Sequence, residues 1–496
     1  MSKIIQRKVR AGLVVALALV LGLCMAGASV VYASPPPMPW DITTDPAATT
    51  DEAAITKVLK VPYGTEYPAM DFTFKIEAVS FNGSTTAVAS VPAVPAAPVA
   101  PAAAGEVIIS FDGSAAVSPS EHPDAVNSTA ATDVYYLESP DIFAGVVWPS
   151  AGIYEYKITE TATSYSILDP LHEALTLSLA EYMILVYVME CEDALTCTHG
   201  PGNTPIHTTG EIFIAAIGAV KVISDAYDPI INPGKANPTP GGDGSATIFY
   251  SQLAFTNNYV KTNGSGDPDD PDPQDPTEAT LNISKEVDGD FKSFTQYFKF
   301  ELTLALPSLI PAFIEPFYPA YVLDEFGAIV SPIPPATGTS DGNAAAALID
   351  TLATGTLAGT EYIKFVPGTA TTFYLKHGEQ LVFINTPVGT GYALSETGST
   401  GYTPNVTVTY DSSTTPVSDT GVKDAGYALP STAIPAAANL FVSEEGSSVL
   451  FVNDTGGTTP TGLDISDLPF IGLIIIALGA FAAWILVKSR KRRSYN

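Results

Sequence analysis

The chain has 496 residues, with 22 Lys and Arg against 52 Asp and Glu, 39 Gly, 41 Pro and three Cys. That length accommodates two to four domains, and turn formers together with abundant Thr, Val, Tyr and Phe point to β structure. Nine of the basic residues sit at the two ends, so residues 34–487 hold 13 basic against 52 acidic residues, a net charge of −39; this excludes a nucleic-acid binder or a binder of anionic lipid surfaces.

At the start, Lys3, Arg7, Lys8 and Arg10 precede an apolar run from Ala11 to Val31 and a small-x-small site at Val31-Tyr32-Ala33. The pattern reads as a secretory signal peptide over residues 1–33, with an uncleaved anchor helix as the alternative. Leu23 stands where a lipoprotein cysteine at Cys24 needs a small residue. Residues 34–50 form a Pro-rich entry segment.

A first unit is expected over residues 51–262. A strand is predicted at Ala53–Val61, and another at Asp71–Val79 with Phe72, Phe74 and Ile76 in phase. Residues 84–105 lack any period and read as a surface loop. Strands follow at Glu106–Phe111, Gly152–Thr161 and Tyr182–Met189, with one or two more inside Ile212–Ile223. Asn232–Gly244 reads as a Pro/Gly loop, and Ala246–Phe249 and Leu253–Tyr259 close the unit. Residues 263–278 are an acidic, Pro-rich linker that mutual repulsion extends.

A second unit is expected over residues 279–456. Strands are predicted at Ala279–Asp290, Tyr297–Ala305, Thr371–Lys376, Gln380–Asn385, Gly391–Thr397, Asn405–Tyr410 and Ser448–Asn453. A stalk over 457–467 leads to an apolar segment at 468–487, long enough to span a bilayer. The basic tail 488–496 follows directly, which puts that end in the cytoplasm and the body outside.

Two carboxylates break the strand patterns. In Tyr154-Glu-Tyr-Lys-Ile-Thr-Glu160-Thr, Glu160 falls on the face that Tyr154, Tyr156 and Ile158 mark as buried. In Tyr392-Ala-Leu-Ser-Glu396-Thr, Glu396 shares a face with Tyr392 and Leu394. A carboxylate there is costly unless paired or protonated. Both units also open on a Thr/Ser-Lys strand and close on a Phe-x-Asn strand, giving Lys57, Glu160, Asn257 and then Lys285, Glu396, Asn453. If the opening and closing strands lie side by side, each set meets in one apolar site. A desolvated lysine loses its proton and becomes a nucleophile. A protonated glutamate polarises the Asn side-chain carbonyl and shuttles protons. The product is a Lys–Asn isopeptide bond with loss of ammonia, a single self-modification rather than turnover. Lys60 competes with Lys57 in register, and Asn258 with Asn257.

These residues resemble Gram-positive surface and pilin-subunit proteins with pilin isopeptide-linkage domains, which are Ig-like sandwiches related to the B-type repeats of collagen adhesins. The resemblance rests on Ile55-Thr-Lys57-Val-Leu, Tyr154 to Thr161 and Phe255-Thr-Asn257-Asn-Tyr259 in the first unit. In the second it rests on Leu281-Asn-Ile-Ser-Lys285, Phe451-Val-Asn453 and Tyr392 to Tyr402, the last similar to the pilin E-box. It implies an all-β fold of tandem Ig-like β-sandwiches, with Lys57 and Lys285 as nucleophiles, Glu160 and Glu396 as acid/base, and Asn257 and Asn453 as acceptors. It also implies a sortase and other pilin subunits as partners, and a cell-surface location, membrane-anchored or attached to the cell wall. Two features depart from the family. Leu468-Pro-Phe-Ile-Gly472 has Ile where a sortase substrate carries Thr, and the candidates for a polymerising lysine, Lys235 and Lys261, lack the motif around them.

Cys191 and Cys197 are a candidate disulfide pair in a secreted chain, with two free thiols as the alternative. Glu190, Glu192 and His199 are too few to make a metal site, and no cofactor motif is present. With no Gly-x-Ser-x-Gly, no His-Glu-x-x-His and five histidines, a hydrolase is not expected. The expected function is a structural surface protein, a pilin subunit or stalk. The alternative is an adhesin binding a host or partner ligand through the 84–105, 112–150 or 306–360 segments, Phe313 to Tyr321 included.

Overall fold

A computed structural model of the chain describes residues 51–456, apart from 95–102, 114–121, 124–127, 129–130, 168–169, 171, 193–206, 226–233, 243–249, 263–271, 275–278, 291, 308, 310–315, 332, 334–351, 358, 411–414 and 437–439. The expected signal peptide, entry segment, stalk, apolar segment 468–487 and basic tail lie outside the described residues, as does most of the linker. Among the described residues no helix is long and apolar enough to cross a membrane.

Among the described residues the regular secondary structure is made almost wholly of strands. The first eleven are β1 (Thr56–Pro62), β2 (Met70–Phe81), β3 (Glu106–Phe111), β4 (His122–Pro123), β5 (Thr132–Glu138), β6 (Gly152–Thr163), β7 (Glu173–Thr176), β8 (Glu181–Glu190), β9 (Ile212–Ile223), β10 (Gly234–Ala236) and β11 (Ala254–Lys261). They form a five-stranded sheet, β4-β5-β1-β11-β7, and a six-stranded sheet, β10-β9-β8-β6-β2-β3. Strict alternation explains the longer strands: Phe72, Phe74 and Ile76 of β2 and Tyr154, Tyr156 and Ile158 of β6 are buried, because side chains two apart share a face. They meet Leu59, Phe255 and Tyr259 of the other sheet in one core, so the two sheets make a sandwich.

The other twelve strands are β12 (Ala279–Asp288), β13 (Phe298–Ala305), β14 (Tyr318–Leu323), β15 (Thr354–Leu357), β16 (Thr360–Phe365), β17 (Thr371–Leu375), β18 (Gln380–Ile384), β19 (Gly391–Glu396), β20 (Thr403–Thr409), β21 (Val417–Thr420), β22 (Tyr427–Leu429) and β23 (Ser447–Asp454). An eight-stranded sheet, β15-β16-β14-β18-β12-β23-β20-β21, faces a four-stranded one, β17-β13-β19-β22. Phe298, Phe300, Leu302 and Leu304 of β13 pack against Leu281, Ile283, Phe383 and Phe451 in a second core.

In each sandwich the first and last strands are parallel neighbours. Lys57 lies opposite Phe255 and Leu59 opposite Asn257. Lys285 lies opposite Phe451 and Val287 opposite Asn453. The two ladders share one offset: the Asn stands two residues beyond the Lys and on the same face of the sheet.

Several segments differ from the sequence expectation. The 84–105 loop contains a 3-10 helix, Thr85–Ser90, and tucks Val91 and Val94 into the core. The 232–244 loop contains β10, an edge strand paired to β9. The 112–150 segment supplies β4 and β5, and the 306–360 segment supplies β14 and β15.

The sandwiches abut. The chain makes a β-bridge between Thr262 and Pro387, and the Val388 N–H donates to Lys261 O at 3.0 Å. Tyr63 packs its ring against Tyr410 and Phe441, with centroids 5.6 and 5.5 Å away. Glu444 accepts from the Glu66 N–H at 2.7 Å and pairs with the Lys261 ammonium. Gly64 has φ +77°, and a Cβ there would run into the Tyr410 hydroxyl.

Candidate functional site

In each sandwich core a buried glutamate contacts both a lysine and an asparagine. In the first, Lys57 and Asn257 point inward from β1 and β11, and both residues are fully buried. Glu160 comes from β6 on the opposite sheet, just before a bulge: Phe74 pairs with Glu160 and Thr73 with Ala162, leaving Thr161 extra. Bulges of this kind re-aim a side chain. Lys57 Nζ donates to Glu160 Oε2 at 2.7 Å and to Phe255 O at 3.1 Å. Asn257 Nδ2 donates to Glu160 Oε1 at 2.7 Å. One carboxylate therefore bridges the amine and the amide nitrogen across the core, rather than meeting the amide carbonyl that the sequence reading expects it to polarise.

The second site repeats the first. Lys285 Nζ lies 3.3 and 3.4 Å from the two Glu396 carboxylate oxygens, and Asn453 Nδ2 donates to Glu396 Oε1 at 2.5 Å. Lys285 is fully buried, and Glu396 and Asn453 nearly so. In both sites a phenylalanine from the glutamate's own sheet lies under the amine. Lys57 Nζ is 4.4 Å from the Phe72 ring centre, and Lys285 Nζ is 4.4 Å from that of Phe298.

The electrostatics follow from burial. Loss of water pushes Lys57 down to about 8, although the Glu160 charge and hydrogen bond hold it up. Burial pushes Lys285 down to about 8 in the same way, against Glu396. Burial drives Glu160 and Glu396 up, with the neighbouring lysines opposing. An isolated buried charge is costly, and both partners shift toward their neutral forms.

The first site has a further layer. Asn257 Oδ1 accepts from the Ser178 N–H at 2.6 Å, which fixes the amide with its nitrogen toward Glu160. Asp225, itself buried, accepts from Ser178 Oγ at 2.7 Å and from the Leu179 and Ala180 N–H groups at 2.7 and 3.0 Å. Its other oxygen accepts from the Thr256 N–H at 3.0 Å. In the second site Asn453 Oδ1 is buried with no hydrogen-bond partner among the described residues. Neither Ser178 nor Asp225 was legible in the sequence. Both lie between strands, where no period marks a side chain as inward.

The competing residues are placed elsewhere. Lys60 and Asn258 face each other on β1 and β11 and belong to the other side of the pleat from Lys57 and Asn257. Cys191 is fully buried and disulfide-bonded; Cys197, its expected partner, lies outside the described residues, as does His199. Among the described residues no group of three or more His, Cys, Asp or Glu is placed to hold a metal ion. Lys261 is the half-buried partner of Glu444 at the contact between the sandwiches. Lys235 is exposed on β10. Tyr318 and Tyr321 are buried in β14, which takes them out of any ligand-binding surface; Phe313 to Glu315 lie outside the described residues.

Residues 337–427, Glu396 among them, match a family described as a domain of unknown function (DUF7601). No curated protein matches the chain. Among solved structures the chain is similar to the major pilin from Streptococcus pyogenes, at 16% identity and a TM-score of 0.26, over 82% of this chain and 99% of that one. It is similar to the pilus-presented adhesin Spy0125 (Cpa), at 14% identity and a TM-score of 0.19, over 52% of this chain and 38% of that one. It is also similar to an adhesin from Mobiluncus mulieris that contains intramolecular disulfide, isopeptide and ester bond cross-links, at 9% identity and a TM-score of 0.16, over 79% of this chain and 87% of that one.

Proposed function

We propose that the chain is a bacterial cell-surface structural protein, a pilin subunit or stalk, whose two Ig-like sandwiches are each closed by a self-formed isopeptide bond. Lys57 joins Asn257, and Lys285 joins Asn453. The observation that carries this reading is the recurrence of one buried Lys–Glu–Asn constellation, at the same strand offset, in two separate cores. Ordinary core packing gives no reason to bury a lysine twice against a glutamate and an asparagine.

The chemistry follows from the contacts. The Lys57 amine, neutral after passing its proton to Glu160, attacks Asn257 Cγ. The carbonyl π pair moves onto Oδ1 to give a tetrahedral intermediate. Glu160, now protonated, delivers its proton to Nδ2 and as a carboxylate takes one from the attacking nitrogen; the Oδ1 pair re-forms the carbonyl, the Cγ–Nδ2 bond breaks, and ammonia leaves. Glu160 touches both nitrogens, so it serves as acid and base without moving. Fixed neighbours in a dry core supply the high effective concentration. Glu396 does the same for Lys285 and Asn453. Signal-directed export, membrane anchoring through 468–487, and assembly with sortase and other subunits belong to the same proposal.

The test is the intact mass of residues 34–467. Two bonds leave the chain about 34 Da light through loss of two ammonia molecules, with about 2 Da more for one disulfide. The deficit of 34 Da disappears in Glu160→Ala combined with Glu396→Ala. A wild-type chain lacking that deficit removes the covalent chemistry and leaves plain sandwiches, for which a ligand-binding role moves forward.

A further inference from the structure

We infer that the Ser178 backbone N–H is the oxyanion donor for bond formation at Asn257, that Asp225 is the residue positioning it, and that the first sandwich therefore closes ahead of the second. The inference rests on the Lys–Asn reading and deepens it.

In the tetrahedral intermediate the negative charge develops on Asn257 Oδ1. The Ser178 N–H already points at that atom, at 2.6 Å. A donor fixed before the reaction stabilises the developing charge without reorganisation. A backbone N–H between strands holds its direction only if something holds the backbone. Asp225 does so through three hydrogen bonds along residues 178–180, from Ser178 Oγ, the Leu179 N–H and the Ala180 N–H. Its second oxygen takes the Thr256 N–H, one residue before Asn257. One carboxylate thus ties donor and acceptor segments to each other. Asp225 does not touch the reacting atoms. The second site has the same amine, acid and amide, but Asn453 Oδ1 is buried there without a donor among the described residues. An oxygen left this way gains nothing as charge builds on it, and its amide is not polarised beforehand.

The experiment follows both bonds in the full-length chain. Cells expressing it are pulsed with heavy-isotope amino acids and chased, and the Lys57–Asn257 and Lys285–Asn453 peptides are quantified by mass spectrometry after digestion. In the wild type the first bond leads the second by a lag far longer than translation. Asp225→Ala slows the first bond by ~10²-fold, the typical cost of losing one oxyanion donor, and leaves the second unchanged. Asp225→Asn, which keeps an oxygen for residues 178–180 but not the charge, restores most of the rate. Ser178→Ala, which keeps the N–H, stays within a few-fold of wild type. A clasp that only braced the fold would lower stability in Asp225→Ala without changing the rate of the first bond relative to the second. The inference is overturned if the second bond forms as fast as the first in the wild type, or if Asp225→Ala closes the first bond at the wild-type rate. The wild-type comparison needs no variant to fold. If neither bond forms in the wild type, the isopeptide reading itself fails; if both form and Asp225 is irrelevant, only the oxyanion assignment does.

Discussion

Replacing Asn257 with alanine removes the acceptor and leaves the amine and acid in place, which isolates the contribution of the first bond. The proposed bond would turn the chain from Lys57 to Asn257 into a closed loop of about 200 residues, and loop-closure entropy for that length is worth about 5 kcal/mol on the model developed for disulfides. The substitution also leaves the buried Ser178 N–H without its acceptor, which adds about 1–3 kcal/mol. A folding unit of this size shifts its melting temperature by roughly 2–4 °C per kcal/mol, so the first sandwich should melt about 12–30 °C lower. Differential scanning calorimetry reads this directly, because the two sandwiches have separate cores and the second transition should hold its position. A first transition that moves by less than about 3 °C would refute the reasoning, since neither the closed loop nor the buried donor would then matter.

Other predictions follow from the same contacts. The Asn257→Ala chain retains a free Lys57 amine held down to about 8 against 10.5 unfolded. Between those values the unfolded chain binds more protons, so stability rises as pH goes from about 8 to 10.5 and that gain is lost on returning. Urea titrations should show this slope in Asn257→Ala and not in a wild type carrying the proposed bond, in which Lys57 would no longer titrate. Lys60→Ala and Asn258→Ala should leave the first mass deficit intact, and loss of the deficit in either would move that end of the bond to the substituted residue. At the contact between the sandwiches, Tyr63→Ala removes two aromatic contacts worth about 0.5–1.5 kcal/mol each, and Gly64→Ala forces a side chain into Tyr410. In either variant, spin labels placed one on each sandwich should give a broadened distance distribution, and an unchanged one would show that the joint is held elsewhere.

Much of the fold was legible where strands alternate. The phases of Phe72, Phe74 and Ile76, and of Phe298 through Leu304, matched the buried faces of β2 and β13. The same alternation singled out Glu160 and Glu396 as carboxylates on apolar faces, and the structure sets each between a lysine and an asparagine. Strands without alternation were not read. β14 is buried at nearly every position and contains Pro319, so it has neither period nor a clean strand composition. β10 and β22 are three residues long, too short to show one. Ser178 and Asp225 act on Asn257 from outside the strands, where position depends on tertiary contacts alone. The joint was illegible for a similar reason: Tyr63, Lys261, Phe441 and Glu444 are neighbours only because two sandwiches meet.

The parallel pairing of first and last strands has a mechanical consequence. Because β1 and β11 run the same way, as do β12 and β23, the chain enters each sandwich at one end and leaves at the other. Tension applied along the molecule slides these strands past each other, loading the whole ladder in shear instead of peeling one hydrogen bond at a time. With the proposed bonds in place, the load path crosses from Lys57 to Asn257 and from Lys285 to Asn453. Everything between those pairs, both cores included, then hangs off the line of force. Such a molecule would behave under load as two nearly inextensible links.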